Sequence, residues 1–235
     1  MVLISNQGIK KTRTAEIMKK ISGFDELTAY SGGMIFARYY ENSCFEPYDY
    51  KIIDFLLEKI NTRQEDACFG LLSLLRIYKQ LPISDEYKQK IKLAAIKYEY
   101  KIDDKNPFEQ CLCEMFAGSF WPEEYFEQHD SRGIDRYKEC YSIIDEYLDT
   151  LEKYDCGDFG YEGEPLDTIC GLLMLYDFSN NEDSTRRVKK LADKFISSAQ
   201  NLESLHYMTG KSDVEVYDVR LATFAFSSYG VPSNV

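Results

Sequence analysis

The apolar positions of this chain fall into helical periods almost from end to end. Between Ile134 and Tyr154, the residues Ile134, Tyr137, Tyr141, Ile144, Leu148, Leu151 and Tyr154 recur at threes and fours. Asp135, Glu139, Asp145, Asp149 and Glu152 fall between them, so this is one stripe of an amphipathic helix, stopped by Gly157. From Leu166 to Phe178 hardly any polar face is left, because Ile169, Cys170, Leu172, Leu173, Met174, Leu175 and Tyr176 crowd together. A helix apolar nearly all round is a buried one. A third helix follows Asn180 and Asn181, which suit an N-cap. Glu182 and Asp183 open it and Arg186, Arg187, Lys189, Lys190 and Lys194 follow, a charge order that suits the helix dipole. Its predicted buried stripe is Val188, Leu191, Ala192, Phe195, Ile196 and Ala199.

The same alternation of amphipathic and more apolar segments runs upstream. The pattern predicts helices over Ala15–Ile21, Glu26–Tyr40, Pro47–Ile60 and Asp66–Tyr78, and another capped by Ser84 and running to Ile102. Gly32 and Gly33 interrupt the second of these; they either split it or let another backbone approach closely. The stretch from Trp121 to Phe126 reads as a helix started by Pro122 and anchored by its aromatic residues. In the tail, Val214, Val216 and Val219 read as a short strand or as the lead-in to a helix over Arg220–Ser227; the hairpin count favours the helix. The predicted fold is all-α: a single domain over 1–235, of about ten helices in antiparallel hairpins, with an apolar inner layer and an amphipathic outer one. No fixed repeat length recurs, so a strict solenoid is rejected.

Composition narrows the classes. A chain of 235 residues without a Gly/Ser or Pro-rich linker suits one core. Its net charge of −12 argues against nucleic acid and against anionic membrane surfaces as partners. No apolar run approaches the roughly 20 residues that span a bilayer. The seven cysteines are odd in number and scattered, and Cys111 and Cys113, two apart on a helix, point to different sides. They cannot close one metal site, and HExxH, GxGxxG and GxxxxGK[ST] are absent. Neither metal nor cofactor is expected, and reduced thiols place the protein in the cytoplasm. Both histidines, His129 and His206, read first as surface residues; His206 is the better candidate for catalysis.

The central residues Ala117, Gly118, Trp121, Pro122, Glu123 and Glu124, then Gly157, Phe159, Asp177, Phe178, Arg187, Ala192 and Phe195, carry a resemblance. In this order and spacing they resemble the helical domain of the heparinase II/III-like polysaccharide lyases and their uncharacterised relatives. The resemblance implies an incomplete α/α toroid and an oligosaccharide partner. It also implies elimination next to a uronic acid, with Tyr161 as base, His206 as acid and Asn106 neutralising the substrate carboxylate. Trp121 and Tyr125 lie in an inter-helix turn of the kind that rims such a cleft, where flat aromatic faces suit sugar rings; packing of helical hairpins is the other role open to them, and the preferred one. The family's Glu-Asn-His triplet is replaced here by Asp104, Lys105 and Asn106, and its Ser-Asn turn is shortened around Tyr161. Those departures imply the alternative function, a non-catalytic helical binding or scaffold protein that has lost the lyase site.

Overall fold

A computed structural model describes residues 26–100, 107–153, 165–179 and 182–201, with Lys19 and Ser22 besides. Apart from Lys19, the helix expected over 15–21 lies outside the described residues, as do the Gly157 stop, the Asn180–Asn181 cap and the tail after 201. Among the described residues there are eight helices: α1 (Gly32–Asn42), α2 (Pro47–Asn61), α3 (Ala67–Gln80), α4 (Asp85–Lys97), α5 (Pro107–Phe120), α6 (Gly133–Lys153), α7 (Pro165–Phe178) and α8 (Glu182–Asn201). The class is all-α.

The helices form two layers. Helices α1, α3, α5 and α7 lie side by side, each against the next odd-numbered one, while α2 packs beside α4 and α6 beside α8 on the outside. Consecutive helices, except α6 and α7, also pack on each other as hairpins, most extensively α5 on α6 and α7 on α8. One apolar core runs through all eight, from Met34, Ile35 and Phe36 in α1 to Val188, Leu191, Ala192 and Phe195 in α8. The inner helices are apolar nearly all round because they are covered on several sides, whereas the outer ones need only one stripe.

Three elements differ from the sequence pattern. Helix α1 begins at Gly32 rather than Glu26, and the same glycine also admits a neighbour: a Cβ there would lie 2.3 Å from Ser73 Cβ. Helix α4 stops at Lys97 because Tyr98 turns extended and both Tyr98 and Tyr100 enter the core. There the Tyr100 hydroxyl donates to the Ala95 carbonyl at 2.8 Å, and the Tyr98 phenol accepts from Gln110 Nε2 at 3.4 Å.

The third difference is the corner between α5 and α6. It is no Pro-started helix but a small hairpin. Strand β1 (Tyr125–Phe126) pairs antiparallel with β2 (Ser131–Arg132), joined by a 3-10 turn over Glu127–His129 and by Asp130 in the left-handed region. The chain must reverse at once here, because the backbones of α5 and α6 touch. A Cβ on Gly118 would stand 2.4 Å from the Gly133 carbonyl oxygen, and one on Gly133 would stand 2.2 Å from that of Trp121. Backbone atoms cannot move aside as a flexible side chain can, so the glycines set this approach. The amides of Gly133 and Ile134 then bond back to the carbonyls of Glu124 and Pro122, both at 2.9 Å, and Phe126 is fully buried.

Candidate functional site

The corner assembles the most chemically varied group of side chains in the described residues. Glu114 sits on α5 among Cys111, Leu112, Cys113, Met115 and Phe116, and its side chain is fully buried. A carboxylate in such surroundings persists as an ion only when donors replace the water it has lost. Arg136 supplies Nε to Oε1 at 2.5 Å, and the Cys140 thiol donates to Oε2 at 3.3 Å. Arg136 also gives Nη1 to Glu139 at 2.6 Å. His129, in the 3-10 turn, leans on the Tyr100 ring with centroids 5.8 Å apart and brings Nε2 to within 3.4 Å of Glu114 Oε1. That nitrogen makes no hydrogen bond, because the approach is not aligned for one.

This need rotates α6. Its periodicity predicts Ile134, Tyr137 and Tyr141 on the buried stripe, yet Gly133, Arg136 and Cys140 are buried and Ile134 and Tyr141 are 36% and 39% exposed. Farther along, Ile144, Leu148 and Leu151 are buried as the pattern predicts. The reading of His129 as a surface residue is also corrected: it is half-buried and faces a buried acid. One signal pointed this way, the lone Glu114 within the apolar run of α5, which needs a partner from another element.

Electrostatics make the group a tie rather than a reactive centre. Burial opposes the charge on Arg136, but its hydrogen bond to Glu114 and the carboxylates of Glu114 and Glu139 outweigh that and raise its pKa. Its hydrogen bond with Cys111, and then burial, push the Cys140 thiol far up, so it remains a neutral donor and no nucleophile. Burial likewise raises Cys113, whose thiol donates to the Cys68 carbonyl on α3 while Cys111 faces α6. The two cysteines do turn to opposite neighbours. Among the described residues no group of three His, Cys, Asp or Glu side chains is placed to hold a metal ion, and no helix is long and apolar enough to cross a membrane.

A second buried charge centre lies in the inner layer. Arg76 of α3 donates Nη2 to Asp177 of α7 at 2.8 Å and Nε to Gln80 at 2.9 Å, with its guanidinium 5.4 Å from the centre of the Phe36 ring on α1. The two side chains are 1% and 2% exposed. Burial lowers the Arg76 pKa against the pull of Asp177, but a guanidinium keeps its proton in proteins.

The aromatic residues of the corner divide. Trp121 is buried, 6% exposed, edge-on to Tyr78 with centroids 5.0 Å apart, and its Nε1 donates to the Tyr78 hydroxyl at 3.2 Å. Tyr125 is 49% exposed, and its phenol donates to the Asp130 carboxylate, which raises its pKa. Asn106, Tyr161 and His206 lie outside the described residues. Compared with protein families, curated proteins and solved structures, the chain matches none.

Proposed function

We propose that this chain is a non-catalytic helical binding or scaffold protein, which keeps the hairpin packing of a lyase-like α/α toroid and has lost its site. The observation that carries the reading is the state of the corner. Trp121 is packed on Tyr78 instead of standing at the lip of a groove, and Glu114, Arg136 and Cys140 are engaged with one another. None of these three is left as a base or nucleophile. The six cysteines described form no disulfide with one another, which suits a reducing cytoplasmic setting. The sole tryptophan makes the test direct. Trp121 emission is expected to be blue-shifted and unchanged by any oligosaccharide of a broad panel; a ligand-dependent shift would put sugar at this corner.

Tyr125 favours a second reading. Its exposed ring beside Asp130 offers a flat face next to an acid, a pairing that suits a sugar ring. Under this reading the protein binds carbohydrate on a lyase-like toroid and eliminates across a glycosidic bond beside a uronic acid. Tyr161 removes the C5 proton, His206 protonates the leaving oxygen and Asn106 neutralises the carboxylate. Unsaturated product absorbing in the ultraviolet, across a panel of uronic-acid polymers, supports it; no turnover on any of them retires it.

A further inference from the structure

The corner contains the one described histidine, and it is placed against an acid whose oxygens are already taken. Oε1 of Glu114 holds Arg136 Nε and Oε2 holds the Cys140 thiol, while His129 Nε2 waits 3.4 Å from Oε1 without a hydrogen bond. Arg136 has somewhere else to go. Its Nη1 already meets Glu139, whose side chain is 59% exposed and therefore free to follow it.

We propose that the corner is an acid-operated clasp, in which protonated His129 takes Glu114 Oε1 and Arg136 passes to Glu139. Arg136 and Glu114 tie the start of α6 to α5, so the transfer frees the first turn of α6 and moves the tie to α5 onto the hairpin at His129. Only a proton from solvent is consumed. The groups facing His129 are Glu114 from α5, Arg136 and Glu139 from α6, and Glu99 with the Tyr100 ring from the segment after α4; Glu127 and Asp130 adjoin it within the corner. Glu99 is in turn paired with Arg63.

Burial decides the direction. It lowers the His129 pKa below that of a free imidazole, against the opposing pull of Glu114. The folded chain therefore binds this proton less readily than the unfolded one. The resulting stability is complete above about pH 6.5 and is lost as the pH falls towards the folded value. Acid opens the clasp; base does not.

The experiment uses the full chain carrying His206→Gln, which leaves His129 as its one histidine. Three signals are followed from pH 8 downwards, roughly 1.5 units either side of an ordinary imidazole value: the His129 Cε1 proton, amide exchange over 121–136, and Trp121 emission. The expected midpoint lies below about 6.5, with corner exchange rising about tenfold, once corrected for its intrinsic pH dependence, and emission moving to the red across the same range. His129→Gln should flatten the exchange and emission responses. Glu139→Gln should lower the midpoint by roughly half a unit, the scale of one exposed carboxylate. The clasp is overturned by a midpoint at or above the ordinary value, by titration of His129 with exchange and emission unchanged, or by a response that survives His129→Gln. If His129→Gln does not fold, Glu139→Gln decides, and an unmoved midpoint overturns the proposal.

Discussion

The two buried charge centres hold different parts of this protein together and are built in opposite ways. In the inner layer, Arg76 meets Asp177 across 101 residues of chain, with both side chains almost wholly out of water. In the corner, Glu114 meets Arg136 across 22 residues, and Arg136 keeps an exposed second acceptor in Glu139. The inner pair joins α3 and α7, which stand on either side of α5 and come within reach of each other only through the packing of the inner layer. The corner joins a hairpin that would be adjacent in any case. Reserve is the other difference: loss of Asp177 leaves the core guanidinium without that buried carboxylate, whereas loss of the Glu114 charge leaves Arg136 a second carboxylate at the surface.

The comparison predicts unequal costs. Asp177→Ala should destabilise the protein by about 3–5 kcal/mol, the usual result of leaving one member of a buried pair uncompensated. Urea unfolding measures it, and Arg76→Met/Asp177→Leu together should recover much of that loss, since an apolar pair removes the desolvation of both charges. A double variant no better than the single one would mean that the pair does more than satisfy its own charges.

Glu114→Gln should cost less, about 2 kcal/mol, because the amide oxygen still accepts one donor while Arg136 remains on Glu139. A loss as large as that of Asp177→Ala would erase the distinction between the two centres. Smallest of all is the outer tie of α8 to α6, where Arg187 meets Asp145, Asp149 and Glu152. Those carboxylates are about half exposed and solvent screens them, so Arg187→Ala should cost under about 1 kcal/mol and less still at high salt. A salt-independent loss would show that the arginine stem, rather than its charge, packs α8 on α6.

Much of the fold was legible along the chain because burial on a helix is periodic. The apolar sequence of α7 predicts an inner helix, and Ile169, Leu172, Leu173, Met174 and Leu175 are buried there. The stripe Val188, Leu191, Ala192 and Phe195 likewise lies on the core, and the start of α1 at Gly32 fits one of the two readings open for its glycines, an interruption of the helical run. The candidate site was far less legible. Trp121 and Tyr125 were singled out together, yet one is buried and the other exposed; Asn106, Tyr161 and His206 lie outside the described residues.

What the sequence determined by itself is the helical class and the alternation of inner and outer segments, since these depend on spacing within each helix. Tertiary structure decided which polar residues are buried. Arg136 and Cys140 displace Ile134 and Tyr141 from the inward face of α6 because a carboxylate on another helix, Glu114, needs donors more than the core needs two further apolar side chains. It also turned the stretch after Trp121 into a hairpin, because Gly118 and Gly133 bring two backbones into contact and leave no room for another helical turn. Both outcomes depend on distances between elements, and periodicity within an element carries no information about them.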